Sequence, residues 1–296
     1  MTDNWERTVM VEFRPTTGRN FFIHDLKVEF DIDKTSSVEP NKCFLKIYNM
    51  NPDHRGKMAF RWNLANDKYG GEIRVSAGYG TEYFQIFRGA ITQATNKKVG
   101  PEWVTEIEAQ TMLREMLAAR ISREAPYPAG TKKLKIFEDI LNDMAIPMTA
   151  KSKESVRTKF GGATIKKSMT LYGSASDCLD RLSNNLQDFI NVKFHDDGVD
   201  ALRVGESIND TPIDINSMIG TPEVTIKGLD FKCQLRHDLH VGILVNVSSE
   251  TVASLEQSAN YVIRKVQHKG SNRDGEFATM LSCVYPIDES NARAML

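Results

Sequence analysis

Residues 261–284, YVIRKVQHKGSNRDGEFATMLSCV, predict two β-strands joined by a polar turn. Branched and aromatic residues fill both flanks, whereas Gly, Ser, Asn and Asp fill the centre, which is the composition of a β-hairpin. A similar layout occurs in residues 87–110, FRGAITQATNKKVGPEWVTEIEAQ, and each copy follows a strand-like segment. The pattern predicts a duplicated hairpin unit, although any two antiparallel sheets can produce such a pattern.

The second strands of the two copies correspond when residues are counted from the turn. Each begins with an aromatic residue and keeps to one strand face, because alternate residues of a strand share a face. The first strand contributes Trp103, Thr105, Ile107 and Ala109, and the second contributes Phe277, Thr279, Leu281 and Cys283.

The period of the apolar residues divides the chain into three regions. Residues 1–118 and 206–296 are strand-like, including one long strand predicted over residues 21–35 and a short helix beginning after Asn51. Residues 119–205 hold two helical patterns, around residues 134–144 and 174–189, and a hairpin around residues 196–198. We expect a mainly β fold, with two β-barrel or sandwich domains (1–118 and 206–296) flanking a small α+β domain (119–205).

The composition is that of a soluble globular protein, with 296 residues, 41% apolar, 26% charged and a net charge of −1. The charge argues against a nucleic-acid binder held by its overall field. No apolar run is long enough to span a membrane, and no signal peptide is apparent, so we expect no membrane insertion. The four cysteines form no CxxC pair, so we expect reduced thiols rather than disulfides or zinc ligands.

Three polar side chains near the second turn raise the question of a catalytic site: His268, Asp274 and Glu276. General acid–base catalysis needs such groups within hydrogen-bonding reach at a shaped pocket. The alternative is a solvated hairpin tip, and we favour it because polar residues are expected at a turn in any case.

Other candidate chemistry is weaker still. His237 and His240 are three residues apart, which suits metal ligands on a helix, but they would point to opposite faces of a strand. The stretch KFGGATIKKS fails the phosphate-loop spacing, because Lys166 stands at the position of the second glycine. We therefore predict no catalytic residue, no cofactor and no metal.

The order of segments resembles a known family. The strand, helix and strand pattern of FIHDLKVEFDIDKTSSVEPNKCFLKIYNMNPDHRGKM and IRVSAGYGTEYFQIFRGAITQA is similar to the first domain of baseplate hub proteins of contractile-tailed bacteriophages. LYGSASDCLDRLSNNLQDFINVKFHDDGVDALRV resembles the small middle domain of that family, and residues 261–284 resemble its last strands.

This resemblance implies a structural virion protein of the tail baseplate, assembled in the host cytoplasm. Hubs of this kind are homotrimers in which two tail-tube-like domains per chain make a pseudo-sixfold ring. The ring joins the tail tube protein to the central spike protein and leaves a lumen for DNA, and tape measure and baseplate wedge proteins are further possible partners. Two alternatives stay open: the hub of another contractile injection or secretion machine, and a tail-associated cell-wall hydrolase using His268 and Asp274.

If the resemblance to hub proteins holds, we expect the two long hairpins to make the contacts between subunits. His268 becomes a strand-end residue whose hairpin edge pairs with a neighbouring chain. The predicted interface residues are Phe84, Phe87, Trp103, Tyr261, His268 and Phe277.

Overall fold

The structure, a computed structural model, is built almost entirely from β-strands. It describes residues 6–15, 18–36, 39–58, 60–61, 70–111, 120–122, 126–143, 153–154, 157, 162–174, 177–179, 182, 190–194, 199–203, 205–249 and 258–287. Helix α1 spans Pro52–Met58 and helix α2 spans Lys133–Asp143. The strands are β1 (Arg7–Arg14), β2 (Phe21–Ile23), β3 (Val28–Thr35), β4 (Lys42–Tyr48), β5 (Phe60–Arg61), β6 (Glu72–Tyr79), β7 (Glu82–Val99), β8 (Glu102–Gln110), β9 (Arg120–Ser122), β10 (Tyr172–Ser174), β11 (Ile190–Phe194), β12 (Val199–Arg203), β13 (Ile213–Ile215), β14 (Glu223–Thr225), β15 (Gly228–Gln234), β16 (Leu244–Val247), β17 (Ala259–Ser271) and β18 (Phe277–Val284).

One 14-stranded sheet organises the fold. Its main path runs β14-β15-β18-β17-β3-β4-β8-β7-β6-β1-β2, while β5, β13 and β16 pair at its sides. The pairs β9–β10 and β11–β12 form separate two-stranded sheets. The mainly β prediction is confirmed. Strands from the beginning and the end of the chain share the main sheet, and the domain limits at residues 118 and 205 stay a prediction.

Strict alternation gives the strands one buried face and one polar face. In β3, Val28, Phe30 and Ile32 are buried, whereas the residues between them are partly exposed acids. We call the buried side the core face and the other side the open face. Because a one-residue slip would move every apolar side chain of β3 to the open face, this alternation fixes the pairing register.

The two ends of the chain meet at a seam, in which residues 265–271 of β17 pair antiparallel with residues 29–35 of β3. Gly270 lies opposite Phe30 in this seam and opposite Phe277 on its other side. A Cβ atom at Gly270 would stand 2.7 Å from Phe277 Cδ2 and 2.9 Å from Phe30 Cζ. Only glycine leaves room for these two aromatic side chains to cover the strand.

Several local predictions are confirmed. Helix α1 begins at Pro52, and the Asn51 side chain accepts a hydrogen bond from the His54 backbone N–H (2.8 Å), as an N-cap does. Helix α2 covers the first predicted helical pattern. Ser174 caps residue Asp177 by a 3.1 Å hydrogen bond, as the second pattern predicts. β11 and β12 form the predicted hairpin, whose turn residues 195–198 lie outside the described residues.

The single long strand predicted over residues 21–35 is wrong, because the chain turns between β2 and β3. At this turn the backbone leaves the ladder to contact the β17–β18 turn: Leu26 C=O accepts from the Asn272 side chain, and Val28 N–H donates to it. Phe22 is consequently exposed, although it has the parity of the buried residues of β3.

Candidate functional site

The hairpins β7–β8 and β17–β18 are two copies of one structural unit. In each copy the first strand carries a β-bulge at the same place, shown by a shift of pairing between Ile91 and Gln93 and between Ile263 and Lys265. A bulge adds one unpaired residue and bends the strand. The shared bulge supports a duplication of structure, because two unrelated antiparallel hairpins need not carry a bulge at the same place.

The backbone hydrogen bonds before the bulge are also repeated. Gly70 N–H donates to the Ile91 carbonyl at 3.1 Å, and Gly242 N–H donates to the Ile263 carbonyl at 2.7 Å. The corresponding residues in the two copies keep the same separation along the chain. The duplication therefore includes the strand connection that precedes each hairpin.

A buried polar pair repeats as well. Thr105 Oγ1 donates to Asn96 Oδ1 at 2.7 Å in the first copy, and Thr279 Oγ1 lies 3.0 Å from His268 Nδ1 in the second. Both threonines are fully buried. His268 therefore holds the position that asparagine holds in the first copy, between the two strands of the hairpin.

The strand edges of the second hairpin are occupied within the chain. β17 lies between β18 on one side and β16 and β3 on the other, and the far edge of β18 pairs with β15. The expectation that a neighbouring chain pairs with the edge of this hairpin is wrong, because β3 of the same chain takes that place.

The six predicted interface residues separate into buried and exposed positions. Two are partly exposed: Phe84 at 49%, stacked on His237 at 3.9 Å between ring centroids, and Trp103 at 40%, covered on one side by Arg55. The other four lie inside the core of this chain: Phe87, Tyr261, His268 and Phe277. Contact of these six residues with another subunit stays a prediction. Four of them are buried in this chain, and for Tyr261 and His268 both edges of their strand, β17, are already paired within the chain.

His268 is neither a strand-end residue nor part of a solvated tip. It lies within β17, its side chain is fully buried, and Nε2 has no hydrogen-bond partner. Burial lowers the pKa of His268 well below its ordinary value, and the nearby Lys34, His240 and His237 lower it further. The imidazole is therefore neutral at pH 7.

The two acidic residues at the turn, Asp274 and Glu276, each form an ion pair with a lysine. Asp274 pairs with Lys27 at 3.0 Å, and this hydrogen bond lowers the pKa of the Asp274 carboxyl. Glu276 pairs with Lys232 of β15. His268 contacts Thr279 instead, so the three residues do not form an acid–base group. The hydrolase alternative thereby loses the residues proposed to carry it.

The β17–β18 turn is hydrogen-bonded to residues near the beginning of the chain. The Arg7 guanidinium donates to the backbone carbonyls of Ser271, Asp274 and Gly275 at 3.3, 3.2 and 2.9 Å. Asn272 adds the two side-chain hydrogen bonds described above, each 2.9 Å long. The turn is therefore an internal joint between the two ends of the chain.

Replacing Asn272 with alanine is expected to lower the free energy of unfolding by about 1–3 kcal/mol, because two partly buried backbone groups lose their partner. Urea unfolding followed by intrinsic fluorescence measures the change. Arg273→Ala is the matched control, since its hydrogen bond to the Asp25 carbonyl is exposed. Equal effects of the two substitutions would contradict the assignment.

No metal or reactive thiol emerges from the described residues. Among them, no three His, Cys, Asp or Glu side chains are placed to hold a metal ion. The four cysteines are free and buried, and burial raises the pKa of Cys233 to about 12. In the parts of the chain that the structure describes, no helix has the length and apolar character needed to cross a membrane.

Comparison with known proteins decides the family. The sequence matches the family described as baseplate hub gp41 over residues 8–283. The chain belongs to the baseplate hub gp41 family. The resemblance to baseplate hub proteins found in the sequence is confirmed. This hub-family chain is thus a structural component of the phage tail baseplate. A comparison with curated protein sequences found no match.

Solved structures share the fold of this hub-family chain. The 43 kDa tail protein of prophage MuSo2 from Shewanella oneidensis is 9% identical, with a TM-score of 0.59 and coverage of 94% of this chain and 98% of the other. A tail protein from Neisseria meningitidis is 10% identical, with a TM-score of 0.57 and coverage of 93% and 96%. The Escherichia coli c3393 protein, a type VI secretion component similar to T4 tail proteins gp27 and gp5, is 13% identical, with a TM-score of 0.54 and coverage of 90% and 74%.

Proposed function

We propose that this chain forms a homotrimeric baseplate hub, a pseudo-sixfold ring that joins the tail tube to the central spike. The observation that carries the proposal is the duplicated hairpin: within one chain the two copies lie in the same sheet, joined through β3 and β4 at the β17–β3 seam. Two similar units per chain and three chains give six similar units around an axis. A threefold spike and a sixfold tube could both dock on such a ring.

The seam supplies the geometry of the proposed ring. It is a head-to-tail contact, because β17 of the second copy meets β3, a strand of the first copy that flanks β4. Head-to-tail contacts generate a closed ring when the rotation between units permits it. A closed ring would also cover the strand edges that otherwise promote aggregation.

The open face of the sheet suits the lining of a lumen. Its charges alternate from strand to strand, with acidic residues on β3 beside lysines on β4 and β17. Examples are Asp31, Lys46 and Lys269. A polar lining of mixed sign would let DNA pass without binding it tightly, since tight non-specific binding requires many unopposed cations.

The proposed partners and location follow from hub membership. They are the tail tube protein and the central spike protein, with tape measure and baseplate wedge proteins as further partners, in a virion assembled in the host cytoplasm. The domain limits 1–118, 119–205 and 206–296 belong to the same proposal. So does a purely structural, non-enzymatic role, which fits the commitment of His268 and Asp274 to structural contacts.

A trimer is the expected species in solution. Multi-angle light scattering of the purified chain, alone and with the spike protein of the same tail, should give three times the chain mass of 33.4 kDa, plus the spike mass in the second case. A monomer under both conditions would contradict the trimer. A tail reconstruction that placed the chain in the sheath or fibres would contradict the hub role.

A second candidate is the hub of a contractile injection or secretion machine. The observation that favours it is the shared fold with the type VI secretion component from Escherichia coli, which covers 90% of this chain. Genes for a capsid and terminase beside this one would favour a phage, and their absence beside secretion genes would favour the machine.

A further inference from the structure

We infer that the ring closes through a second strand junction, in which β14 of one copy pairs with residues 95–97 of a second copy. In this junction Lys97 meets the acidic pair Glu223 and Asp230. The inference rests on the trimeric ring proposed above and assigns the strands and charges of its subunit contact. It follows from treating the internal seam as a template for the contact between chains.

The β7 side of the junction is defined by the duplication. The shared bulge and the shared polar pair place residues 95–97 at the positions of residues 267–269 in the second copy. In the seam, residues 267–269 pair with residues 31–33 of β3. The corresponding side of β7 pairs with β6 and then with β5 as far as Ala94. Further along no described strand pairs with it, and the Asn96 side chain donates to the Arg55 carbonyl of α1.

The β14 side is defined by the strands next to each hairpin. β15 lies beside β18 as β4 lies beside β8, since Leu229 faces Cys283 where Cys43 faces Ala109. β14 then lies beside β15 as β3 lies beside β4. Val224 of β14, opposite Leu229, therefore corresponds to the β3 residue opposite Cys43.

Exposure differs between these corresponding strands in the way that a missing neighbour predicts. Ile32, the β3 counterpart of Val224, lies opposite His268 of β17 and is fully buried, whereas Val224 is 43% exposed. Ile226, directly after β14, has the largest exposure of the exposed apolar residues, at 101%. β14 stands at the end of the sheet path. A second copy placed as β17 is placed in the seam would cover this edge.

The charges at the two strand edges of the junction are complementary. Glu223 and Asp230 stand directly opposite each other on β14 and β15, and neither has an ion-pair partner among the described residues. Like charges at directly opposed positions are unfavourable. In the seam, Lys269 faces Asp31, and the counterparts of these two residues are Lys97 and Glu223. Lys97 also pairs with Glu106, and an ammonium group has donors for both contacts.

These charges select the head-to-tail arrangement. Pairing of β14 with β14 would bring four carboxylates together, and pairing of β7 with β7 would bring lysines together. Like-charge contacts across an interface disfavour wrong partners. Only the pairing of β7 with β14 brings opposite charges together, and that pairing repeats the direction of the internal seam.

Charge exchange tests the junction. Lys97→Glu and Glu223→Lys should each weaken trimer formation at least about tenfold by analytical ultracentrifugation, and the double variant should recover most of the loss. Lys98→Glu is the matched control, because it makes the same charge change on the other face of β7. The spike protein is included in every sample if the unsubstituted chain requires it to trimerise.

A cross-linking variant gives a second readout. Lys97→Cys combined with Glu223→Cys should form a disulfide between chains on mild oxidation, because directly opposed residues bring their Cβ atoms within bonding range. The native cysteines are buried and should not form disulfides under the same oxidation. Lys98→Cys with Glu223→Cys should not cross-link.

The outcomes separate the junction from the hub. A trimer that forms with unchanged affinity in both single variants, and does not cross-link, overturns the junction and leaves the hub function standing. An unsubstituted chain that stays monomeric with its spike overturns the hub proposal itself. Loss in both single variants with recovery in the double variant supports the junction.

Discussion

Replacing Phe277 with alanine is expected to lower the free energy of unfolding by about 3–5 kcal/mol, the usual cost of emptying a buried aromatic site. Phe277 packs edge-on against Phe30 (5.8 Å between ring centroids) and Tyr79 (5.3 Å), and the Arg7 guanidinium lies 5.4 Å from its ring centroid. The side chain thus contacts β1, β3 and β6 from β18. Its loss would leave a cavity between the two ends of the chain.

Chemical denaturation monitored by tryptophan fluorescence and by circular dichroism measures this effect. Phe44→Ala is the matched control, because Phe44 is 46% exposed on the open face of β4 and its removal leaves no cavity. The control should lose less than about 1 kcal/mol. A loss at Phe277 no greater than that at Phe44 would contradict the packing described for the seam.

Acid is expected to destabilise the protein through His268. Burial lowers the pKa of His268 in the folded state, so the unfolded chain binds the extra proton first, near the ordinary pKa of about 6.5. Stability is complete above that pH and falls as the pH drops below it, by up to about 1.4 kcal/mol per pH unit. The protonated ring would carry an unpaired Nε2–H beside Lys34, His237 and His240.

His268→Asn should remove most of this acid sensitivity. Asparagine occupies the corresponding position in the first hairpin, where Asn96 makes the same bond to Thr105, so the substitution suits the fold. The measurement is the unfolding midpoint of both proteins at pH 7.5, 6.5 and 5.5, above the range where carboxylates protonate. Parallel pH profiles for the two proteins would show that another group is responsible.

The sequence was sufficient to predict the strands because their alternation is local. Period-two burial in β3 and the turn chemistry at residues 271–276 are visible without a partner strand. The duplication was visible for the same reason, since each hairpin carries its own pattern. The pairing of β17 with β3 could not be predicted from the sequence, because neither strand contains a local pattern that identifies a partner more than two hundred residues away.

The alternation of β17 carries a local signal for the burial of His268. The residue shares its strand face with Val266 and Gly270, both buried, so the alternation itself placed the imidazole in the core. Its polarity suggested the surface instead. Arg7 and Asn272, which strap the turn, had no such local signal, because their partners are backbone groups at the opposite end of the chain.

The two strands of the seam are synthesised at very different times. The edge of β3 is made early, but its cover, residues 265–271, emerges only near the end of translation. At roughly 5–20 residues per second, the ribosome needs on the order of 10–50 s to make the chain between them. During that interval the acidic side chains of β3, Glu29, Asp31 and Asp33, discourage two nascent chains from joining edge to edge, because they repel their own copies.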